Sequence, residues 1–232
     1  MEDKSMSTEK ILEVRDVSYW YDSSKPVLKE VNVSFCTGSV YAITGASGSG
    51  KTTLMSLLGG LDTPKKGAVL YRGENIAEIG FEKYRKQCVS FVFQNYNLIN
   101  YMTSLENVML TSKTSPLPFL KDVGITEEEA RRNVLKLSGG QQQRVAIARA
   151  IAAETPVILA DEPTGNLDEK TSEDIMRLLK EQAHSRSKCV IVVTHSKSIA
   201  AAADHTYEIK NGSLRADFLL PANGRHAIIL RR

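Results

Sequence analysis

The chain has 232 residues, of which 42% are hydrophobic and 25% are charged, and its formal net charge is +3. These values are those of an ordinary globular protein with one domain, or with one domain that carries a subdomain. The small charge and the scattered lysines and arginines argue against nucleic acid as a partner. The polar N-terminal residues do not resemble a secretory signal, and no apolar run approaches the roughly 18 residues that cross a bilayer.

The three cysteines, Cys36, Cys88 and Cys189, are far apart in the sequence, and none belongs to a CxxC pair. An odd number of cysteines at these spacings suggests neither a disulfide framework nor a zinc site. We therefore expect the protein to work in a reduced, cytoplasmic setting.

The N-terminal part of the chain predicts an antiparallel β portion, followed by a strand, a loop and a helix. Alternating apolar residues predict strands over residues 11–17 and 27–35, with an aromatic cluster at 19–21 and a polar turn between them. Residues 40–44 form a short apolar run, after which a glycine-rich turn leads into a helix that stops at Gly59.

The middle of the chain changes character after a predicted strand at residues 89–93. Pro116 and Pro118 break the stretch that follows, and residues 126–135 predict a capped, charged helix. We interpret residues 95–136 as a helical subdomain inserted into an α/β core.

Beyond residue 136, helices and strands alternate again: helix 142–153, strand 157–160, helix 171–183, strand 190–194, helix 199–203 and hairpin 207–214. Short, wholly apolar strands are typical of a parallel sheet that is buried on both faces. The expected fold is therefore α/β, with a mostly parallel sheet that is flanked by helices and binds ligands at the carboxyl ends of its strands. The tail, residues 217–232, is expected to pack on this core as a strand or turn.

The clearest motif is the stretch Gly-Ala-Ser-Gly-Ser-Gly-Lys-Thr at residues 45–52. It fills every fixed position of the phosphate-binding loop pattern and lies between a predicted strand and a predicted helix. A flexible Gly/Ser linker is the alternative, which these flanking elements disfavour. In such a loop the backbone N–H groups and Lys51 bind phosphates, and the Thr52 hydroxyl binds Mg²⁺. The expected nucleotide contacts are Gly45, Ala46, Ser47, Gly48, Ser49, Gly50, Lys51, Thr52 and Thr53.

Four polar residues, Thr44, Gln94, Asp161 and His195, fall at the ends of predicted core strands. Because the carboxyl ends of parallel strands meet at one edge of a sheet, we expect these residues to form one site. Asp161 is expected to hold Mg²⁺ or its waters, and Glu162 to orient and deprotonate a water molecule. The alternative for each carboxylate is an ordinary residue of a solvated turn.

A second glycine turn, Leu-Ser-Gly-Gly-Gln at residues 137–141, precedes an alanine-rich helix. Ser138 and the amides of Gly139 and Gly140 then stand at a helix N-terminus, which is a second anion site. One chain does not need two phosphate cradles for one nucleotide. We therefore expect the second cradle to face the nucleotide of another subunit.

With these motifs the chain resembles the nucleotide-binding domain of ATP-binding cassette (ABC) transporters, and the resemblance covers residues 11–214. The Leu-Ser-Gly-Gly-Gln signature is highly specific to that family. The resemblance implies a P-loop NTPase with a RecA-like core and antiparallel β portion at residues 1–94 and 137–216. It also implies a helical signature subdomain at residues 95–136 and a separate C-terminal tail at 217–232.

The resemblance further implies roles for individual residues of the sequence. Catalysis is assigned to Glu162, His195 and Gln94. Binding of Mg²⁺ is assigned to Thr52, Gln94 and Asp161. Contacts with ATP or across a dimer interface are assigned to Ser138, Gly139, Gly140, Gln141 and Asp168.

Three of the assignments have alternatives in the sequence itself. Tyr21 matches the aromatic residue that stacks on adenine, but Tyr19 and Trp20 are its neighbours, and a core or surface role is the alternative. His195 could be a structural histidine at a strand end. Gln94 could be a solvated loop residue.

Details of the motifs resemble one group of bacterial transporters, whose members act on lipoproteins, macrolides or antimicrobial peptides. The departure lies between Gln94 and Leu137, a segment that looks several residues short and carries Pro116 and Pro118 where a helix is expected. In this family the coupling helices of the permease dock on that segment.

The resemblance therefore implies an ATPase subunit that pairs head to tail with an identical or related chain around two ATP–Mg²⁺ complexes. An integral membrane permease would be its partner, which places the subunit in the cytoplasm at the inner face of the membrane. Two alternatives stay open. One is a soluble ABC-type ATPase in translation, DNA repair or cofactor assembly, and the other is a regulatory module with little turnover.

Overall fold

The structure, a computed structural model, describes residues 9–216, which form two β-sheets and the helices packed around them. The strands are β1 (Lys10–Asp22), β2 (Lys25–Cys36), β3 (Ser39–Thr44), β4 (Lys66–Tyr71), β5 (Glu74–Asn75), β6 (Val89–Val92), β7 (Val157–Asp161), β8 (Cys189–Val193), β9 (His205–Lys210) and β10 (Ser213–Ala216). The helices are α1 (Lys51–Leu58), α2 (Ile76–Ile79), α3 (Phe81–Gln87), α4 (Ser104–Met109), α5 (Leu117–Asp122), α6 (Glu127–Ala130), α7 (Gly139–Ala152), α8 (Glu169–His184) and α9 (Lys197–Ala202). The expected packing of the tail from residue 217 lies outside the described residues.

The two sheets differ in the direction of their strands. The first has the order β2-β1-β4-β5 and is antiparallel throughout. The second has the order β10-β9-β3-β8-β7-β6, and in it only β10 runs antiparallel to its neighbour. This arrangement confirms the expected α/β fold with a mostly parallel sheet and an N-terminal antiparallel portion.

The parallel sheet separates two hydrophobic cores. Alternate residues of its central strands face opposite sides, so that Leu159 and Ile191 join the core beneath the antiparallel sheet, whereas Ile158 and Val190 join the core beneath α7 and α8. This burial on both faces explains why the strands are apolar at every position rather than alternating. Within residues 9–216, no helix is both long and apolar enough to cross a membrane.

The aromatic cluster at residues 19–21 belongs to β1 rather than to a connection between two strands. β1 extends through Asp22, and its pairing with β2 is irregular over these residues. Tyr19 is buried, Trp20 is half-buried and Tyr21 is 75% exposed. The predicted strand was therefore too short, because the register irregularities conceal the alternation that marks its end.

Two helix predictions in the inserted segment were wrong. Residues 126–135 do not form one helix, because α6 ends at Ala130 and the backbone then pairs with an earlier segment. The amide of Val134 donates to the carbonyl of Met102 over 3.1 Å, and Ser104 donates to Arg132 over 3.1 Å. Pro116 and Pro118 do not break the segment, since they begin α5. A proline in the first helical turn loses no hydrogen bond.

Candidate nucleotide site

Four residues gather at the carboxyl edge of the parallel sheet. Thr44 ends β3 and Asp161 ends β7, while His195 lies two residues beyond β8 and Gln94 two residues beyond β6. The strands β3, β8, β7 and β6 are consecutive and parallel, so that these ends form one row. The structure thus brings together the four strand-end residues that the sequence placed in one site.

The glycine-rich loop between β3 and α1 has a backbone that requires glycine. Gly45, Gly48 and Gly50 have φ angles of 149°, 74° and 108°, which side-chain-bearing residues rarely adopt. A Cβ atom on Gly45 would lie 2.6 Å from Ser49 Oγ and 2.7 Å from the carbonyl oxygen of Ile209. The close approach at Gly45 curls the loop, and the tip residues Ala46, Ser47 and Gly48 are exposed.

The N-terminus of α1 is open to an anion. Its N-cap, Gly50, provides no side-chain hydrogen bond, and the first turn carries no acidic residue. The free N–H groups and the positive end of the helix dipole therefore attract negative charge. Ser49 Oγ is buried in the loop without a hydrogen-bond partner. Together these unpaired donors fit the phosphates of a nucleotide.

Lys51 lies across the same loop. Its ammonium donates hydrogen bonds to the carbonyl oxygens of Gly45 over 2.8 Å and Ala46 over 3.1 Å. An ammonium group has three donors, so one is left for a phosphate oxygen. The next residues, Thr52 and Thr53, are exposed and buried, respectively.

Asp161 is a half-buried carboxylate at the end of β7. Burial raises the pKa of this carboxyl group and the neighbouring charge of Glu162 raises it further, while Lys51 acts in the opposite direction. A further positive charge nearby would therefore stabilise the ionised form of Asp161. The oxygen donors of Asp161, Thr52 and Gln94 are of the hard type that Mg²⁺ prefers, so the residues fit that ion.

Glu162 and His195 form a hydrogen-bonded pair. Glu162 Oε1 lies 2.9 Å from His195 Nδ1, the carboxylate side chain is only 13% exposed and the imidazole is 70% exposed. The second oxygen, Oε2, is buried and has no hydrogen-bond partner. The backbone of Glu162 has a left-handed φ of 44°, and its N–H donates to Val193 over 2.9 Å. A carboxylate with a free oxygen can accept a proton from water.

The loop after Glu162 lies against Gln94. A Cβ atom on Gly165 would stand 3.2 Å from Gln94 Nε2 and 3.6 Å from Glu162 Cβ. The loop ends at Asp168, which caps α8 by accepting from the amide of Thr171 over 3.0 Å and from its hydroxyl over 2.7 Å. Glu162 and Gln94 therefore flank one short loop, and Asp168 is committed to the helix that follows it.

The second glycine turn begins α7. Ser138 is its N-cap, and Gln141 completes a capping box, accepting from the Ser138 amide over 2.8 Å. The Gln141 amide nitrogen also donates to Glu129 over 2.6 Å, so that this side chain is engaged within its own chain. Ser138 is exposed and no hydrogen bond in residues 9–216 joins residues 138–141 to the phosphate-binding loop.

Tyr21 is the exposed aromatic residue beside the phosphate-binding loop. Its hydroxyl lies 3.3 Å from Thr53 Oγ1 in α1, and its ring meets the ring of Tyr19 edge-on at 5.0 Å. Tyr19 is buried, and its hydroxyl hydrogen bonds to Asp62. Of the three neighbouring aromatic residues, Tyr21 is thus the one with a ring free to stack on a ligand.

Two residues that the sequence analysis did not assign connect parts of this site. Gln143 is fully buried in α7 and donates to the carbonyl of Pro163, directly after Glu162, over 2.7 Å. Arg149, near the end of the same helix, donates to the carbonyls of Tyr96 and Asn97. The available signal was only their polar character inside an alanine-rich helical stretch, which also holds Gln141, Gln142 and Arg144.

The family model described as ABC transporter matches residues 28–165. The chain belongs to the ABC transporter family. Its relatives include an uncharacterized ABC transporter ATP-binding protein, YclH, of Bacillus subtilis, which is 48% identical over 214 residues covering 88% of this chain and 95% of YclH. The lipoprotein-releasing system ATP-binding protein LolD of Syntrophotalea carbinolica is 41% identical over 81% of this chain and 88% of LolD.

Three further comparisons concern a longer relative and two solved structures of this ABC family. The macrolide export ATP-binding/permease protein MacB of Hyphomonas neptunium is 38% identical over 90% of this ABC chain, which spans only 35% of MacB. The dimeric structure of the MJ0796 ABC transporter cassette superimposes with a TM-score of 0.80 at 36% identity, covering 89% of this chain and 98% of that one. A second dimeric MJ0796 structure is a post-hydrolysis state bound to ADP and Pi.

Family membership confirms the resemblance that the motifs predicted, including the lipoprotein and macrolide branch to which LolD and MacB belong. This chain is an ABC transporter ATP-binding subunit, and the reaction of its family is ATP hydrolysis.

Proposed function

We propose that this ABC subunit hydrolyses ATP with Mg²⁺ at a site shared between two chains and uses the resulting movement to drive a membrane permease. The observation that carries the proposal is the Glu162–His195 pair, whose buried carboxylate has one unpartnered oxygen beside an open phosphate-binding loop. The permease we propose is of the lipoprotein or macrolide type, since LolD and MacB are among the relatives. The subunit would then lie in the cytoplasm at the inner face of the membrane.

We propose that the nucleotide is held by the loop at residues 45–53 and by Tyr21. The loop amides, the open N-terminus of α1 and the third donor of Lys51 bind phosphate oxygens, while the exposed ring of Tyr21 stacks on the adenine. Phosphate recognition by backbone dipoles needs no side-chain movement, which makes the site pre-organised. Thr52, Asp161 and Gln94 would hold Mg²⁺, which would supply positive charge to the phosphates.

The proton transfer is assigned to Glu162. Its free Oε2 accepts a proton from the attacking water, and His195 holds Oε1 in place through the 2.9 Å hydrogen bond. The exposed imidazole edge remains free to contact the γ-phosphate. Gln94, next to Gly165 and Glu162, orients the water from the opposite side.

The other half of each site is assigned to Ser138, Gly139 and Gly140 of a second chain. These residues form an N-terminal anion cradle on a helix of 14 residues that makes no hydrogen bond with the loop of its own chain. Asp168 lies at the same interface. The partner chain is an identical copy or a related ABC subunit, and in either case isolated monomers hydrolyse ATP poorly.

We assign binding of the membrane permease to a groove of about 390 Å³ between the core and the inserted helices. Its walls carry the cations Arg85, Lys86 and Lys113, and Leu110 beside them is 53% exposed. An apolar anchor with surrounding carboxylates on the cytoplasmic side of the permease complements such a surface. A permease that co-purifies with the tagged chain should be lost on Leu110→Asp, while the ATPase activity of the chain is retained.

Mixing two inactive variants tests the shared site directly. Lys51→Ala destroys the phosphate-binding half and Ser138→Arg the signature half, so each variant alone should be inactive. In a mixed dimer one site carries both defects and the other carries none. Random mixing should therefore restore about a quarter of the wild-type rate. No recovery on mixing would contradict the shared site.

The concentration dependence of the rate separates this proposal from a regulatory module with little turnover. An enzyme whose site needs two chains should show a specific ATPase activity that rises with protein concentration until the dimer saturates. Glu162→Gln should accumulate as an ATP-bound dimer on size exclusion with ATP and Mg²⁺. If only monomer were seen under those conditions, dimerisation would be contradicted. A specific activity that does not depend on protein concentration would indicate a site that does not need two chains.

A further inference from the structure

The loop that follows Gln94 contains two successive residues in the left-handed region. Tyr96 has a φ of 59° and Asn97 a φ of 49°. This conformation is unfavourable for side-chain-bearing residues, and least acceptable for an aromatic one. Such a turn persists only where its surroundings hold it. Its position, two residues beyond Gln94, places it next to the nucleotide site.

Arg149 holds this turn. Its Nη2 donates to the carbonyl of Tyr96 over 3.0 Å and its Nη1 to the carbonyl of Asn97 over 2.7 Å. Burial lowers the pKa of the guanidinium from its ordinary value, and no carboxylate among residues 9–216 forms an ion pair with it. Burying a cation that is paired only with backbone carbonyls costs desolvation free energy. That cost is offset only when the N–H groups of the guanidinium are well aligned with the carbonyl oxygens.

Tyr96 also reaches the other end of the helix that carries Arg149. A Cβ atom on Gly139, the first residue of α7, would lie 3.0 Å from the Tyr96 hydroxyl oxygen. The carbonyl of Arg149 in the last turn accepts a hydrogen bond from the Thr111 hydroxyl over 2.7 Å. The backbone of the loop after Gln94 is thus held by the C-terminal part of α7. The phenol of Tyr96 packs against Gly139 at the N-terminus of the same helix.

We propose that Arg149 is a positioning residue that fixes the Gln94 loop to the signature helix, so that Gln94 and residues 138–140 move as one unit. Arg149 also lines the groove assigned to the permease, so a segment bound there bears on the guanidinium directly. Displacement of that permease segment then moves Gln94 through Arg149, although the segment and Gln94 do not touch. The inference rests on the proposed role of Gln94 in hydrolysis.

The first test replaces Arg149 by methionine in the full chain. With the turn released, Gln94 leaves its position, and kcat for ATP should fall about tenfold or more, as expected for the loss of charged hydrogen bonds. The KM for ATP should change by less than about twofold, because Tyr21 and the phosphate-binding loop are untouched. Arg149→Lys keeps the charge but cannot bridge both carbonyls, so its kcat should be intermediate.

Lys188→Met is the matched control. Lys188 is also a half-buried cation that donates to a backbone carbonyl, that of Thr155, over 2.7 Å. It lies at the amino end of β8, on the far side of the sheet from the site. This variant should lose thermal stability to a similar extent but keep its kcat. An equal loss of kcat in both variants would overturn the inference, since it would reduce Arg149 to a general structural role.

The decisive test combines Arg149→Met with Gln94→Ala. If Arg149 acts through Gln94, the double variant should have the same kcat as Gln94→Ala alone, because the effects of residues that act as a unit do not add. Multiplicative losses would overturn the inference while leaving the proposed role of Gln94 intact. If Gln94→Ala keeps the wild-type kcat, that role and the inference both fail.

Hydrogen exchange gives a readout that does not depend on activity. The amides of residues 95–99 should exchange faster in Arg149→Met and in Arg149→Lys than in the wild-type chain, whereas the amides of β7 and β8 should be unchanged. Unchanged exchange at residues 95–99 would show that the turn is stable without Arg149, and would overturn the inference even if the variant had a reduced kcat.

Discussion

The carboxylate of Glu162 and the imidazole of His195 join the ends of β7 and β8 through a hydrogen bond of 2.9 Å. The exposures of the two side chains differ, with 13% for Glu162 and 70% for His195. The carboxylate is therefore enclosed within the site, whereas the exposed ring is free to contact a ligand. The two substitutions of this pair should consequently have different effects.

Glu162→Gln should lower kcat by about 10²-fold or more, since an amide cannot accept the proton from water. His195→Ala should lower kcat less, because the carboxylate remains and loses only its orientation. ATP binding should persist in both variants, because neither residue belongs to the loop at residues 45–53. Steady-state ATPase assays with equilibrium ATP binding check this, and a Glu162→Gln chain with normal turnover would remove Glu162 from the reaction.

The left-handed backbone of Glu162 predicts a conflict between stability and activity. With a φ of 44°, a residue with a side chain is strained at this position, whereas glycine is not. Glu162→Gly and Glu162→Ala both remove the carboxylate, so both should be inactive. The glycine variant should nevertheless be more stable than the alanine variant by about 1 kcal/mol, or a Tm difference of about 2–4 °C.

Thermal unfolding without nucleotide measures this difference. The alanine variant is the internal control, since it loses the same side-chain atoms and keeps the strained backbone. Equal Tm values for the two variants would mean that the left-handed conformation at residue 162 carries no cost in this protein.

The parts of the fold and site that the sequence predicted well are those decided by neighbouring residues. Asp161 and His195 follow apolar runs whose length and composition mark strands of a buried parallel sheet, so their place at one edge followed from topology alone. The phosphate-binding loop is encoded in eight consecutive positions, residues 45–52. No distant contact is needed to recognise it.

The parts that the sequence did not predict depend on contacts between distant segments. The end of α6 is decided by bonds from Val134 to Met102 and from Ser104 to Arg132, which no local pattern announces. Helix propensity alone favoured a longer helix, and tertiary pairing outweighed it. The link from Arg149 to Tyr96 spans 53 residues of sequence, and its geometry appears only once α7 and the Gln94 loop are packed together.

The close approach at Gly45 predicts a specific loss of nucleotide binding. In Gly45→Ala the new methyl group would meet Ser49 Oγ and the carbonyl of Ile209, and the carbonyl cannot move without disturbing β9. The loop should open and ATP affinity should fall by about 10²-fold or more, as expected when several phosphate contacts are lost together. Titration with a fluorescent ATP analogue measures the affinity.

Gly48→Ala is the control for this experiment. Gly48 also has a positive φ, of 74°, but a Cβ atom there would meet nothing within 4 Å. The control thus carries the backbone strain without the collision, and its affinity should fall about tenfold at most, the equivalent of about 1.4 kcal/mol. Equal losses in the two variants would attribute the effect to strain alone.

A half-buried histidine away from the site predicts a change of stability with pH. His205 stacks on Tyr41 with ring centroids 4.9 Å apart, and burial lowers its pKa from the ordinary value of 6.5, while Asp204 acts in the opposite direction. The unfolded chain therefore binds a proton at this residue more readily than the folded chain. The contribution of His205 to the free energy of unfolding is therefore complete above pH 6.5. It is lost as the pH falls from there towards the lowered pKa of the folded chain.

His205→Phe should remove that part of the pH dependence, because phenylalanine preserves the stacking on Tyr41 and cannot titrate. Urea unfolding at pH 7.5 and at pH 5 should show a smaller loss of unfolding free energy in the variant than in the wild-type chain. Parallel losses in the two proteins would mean that groups other than His205 cause the acid sensitivity in this range.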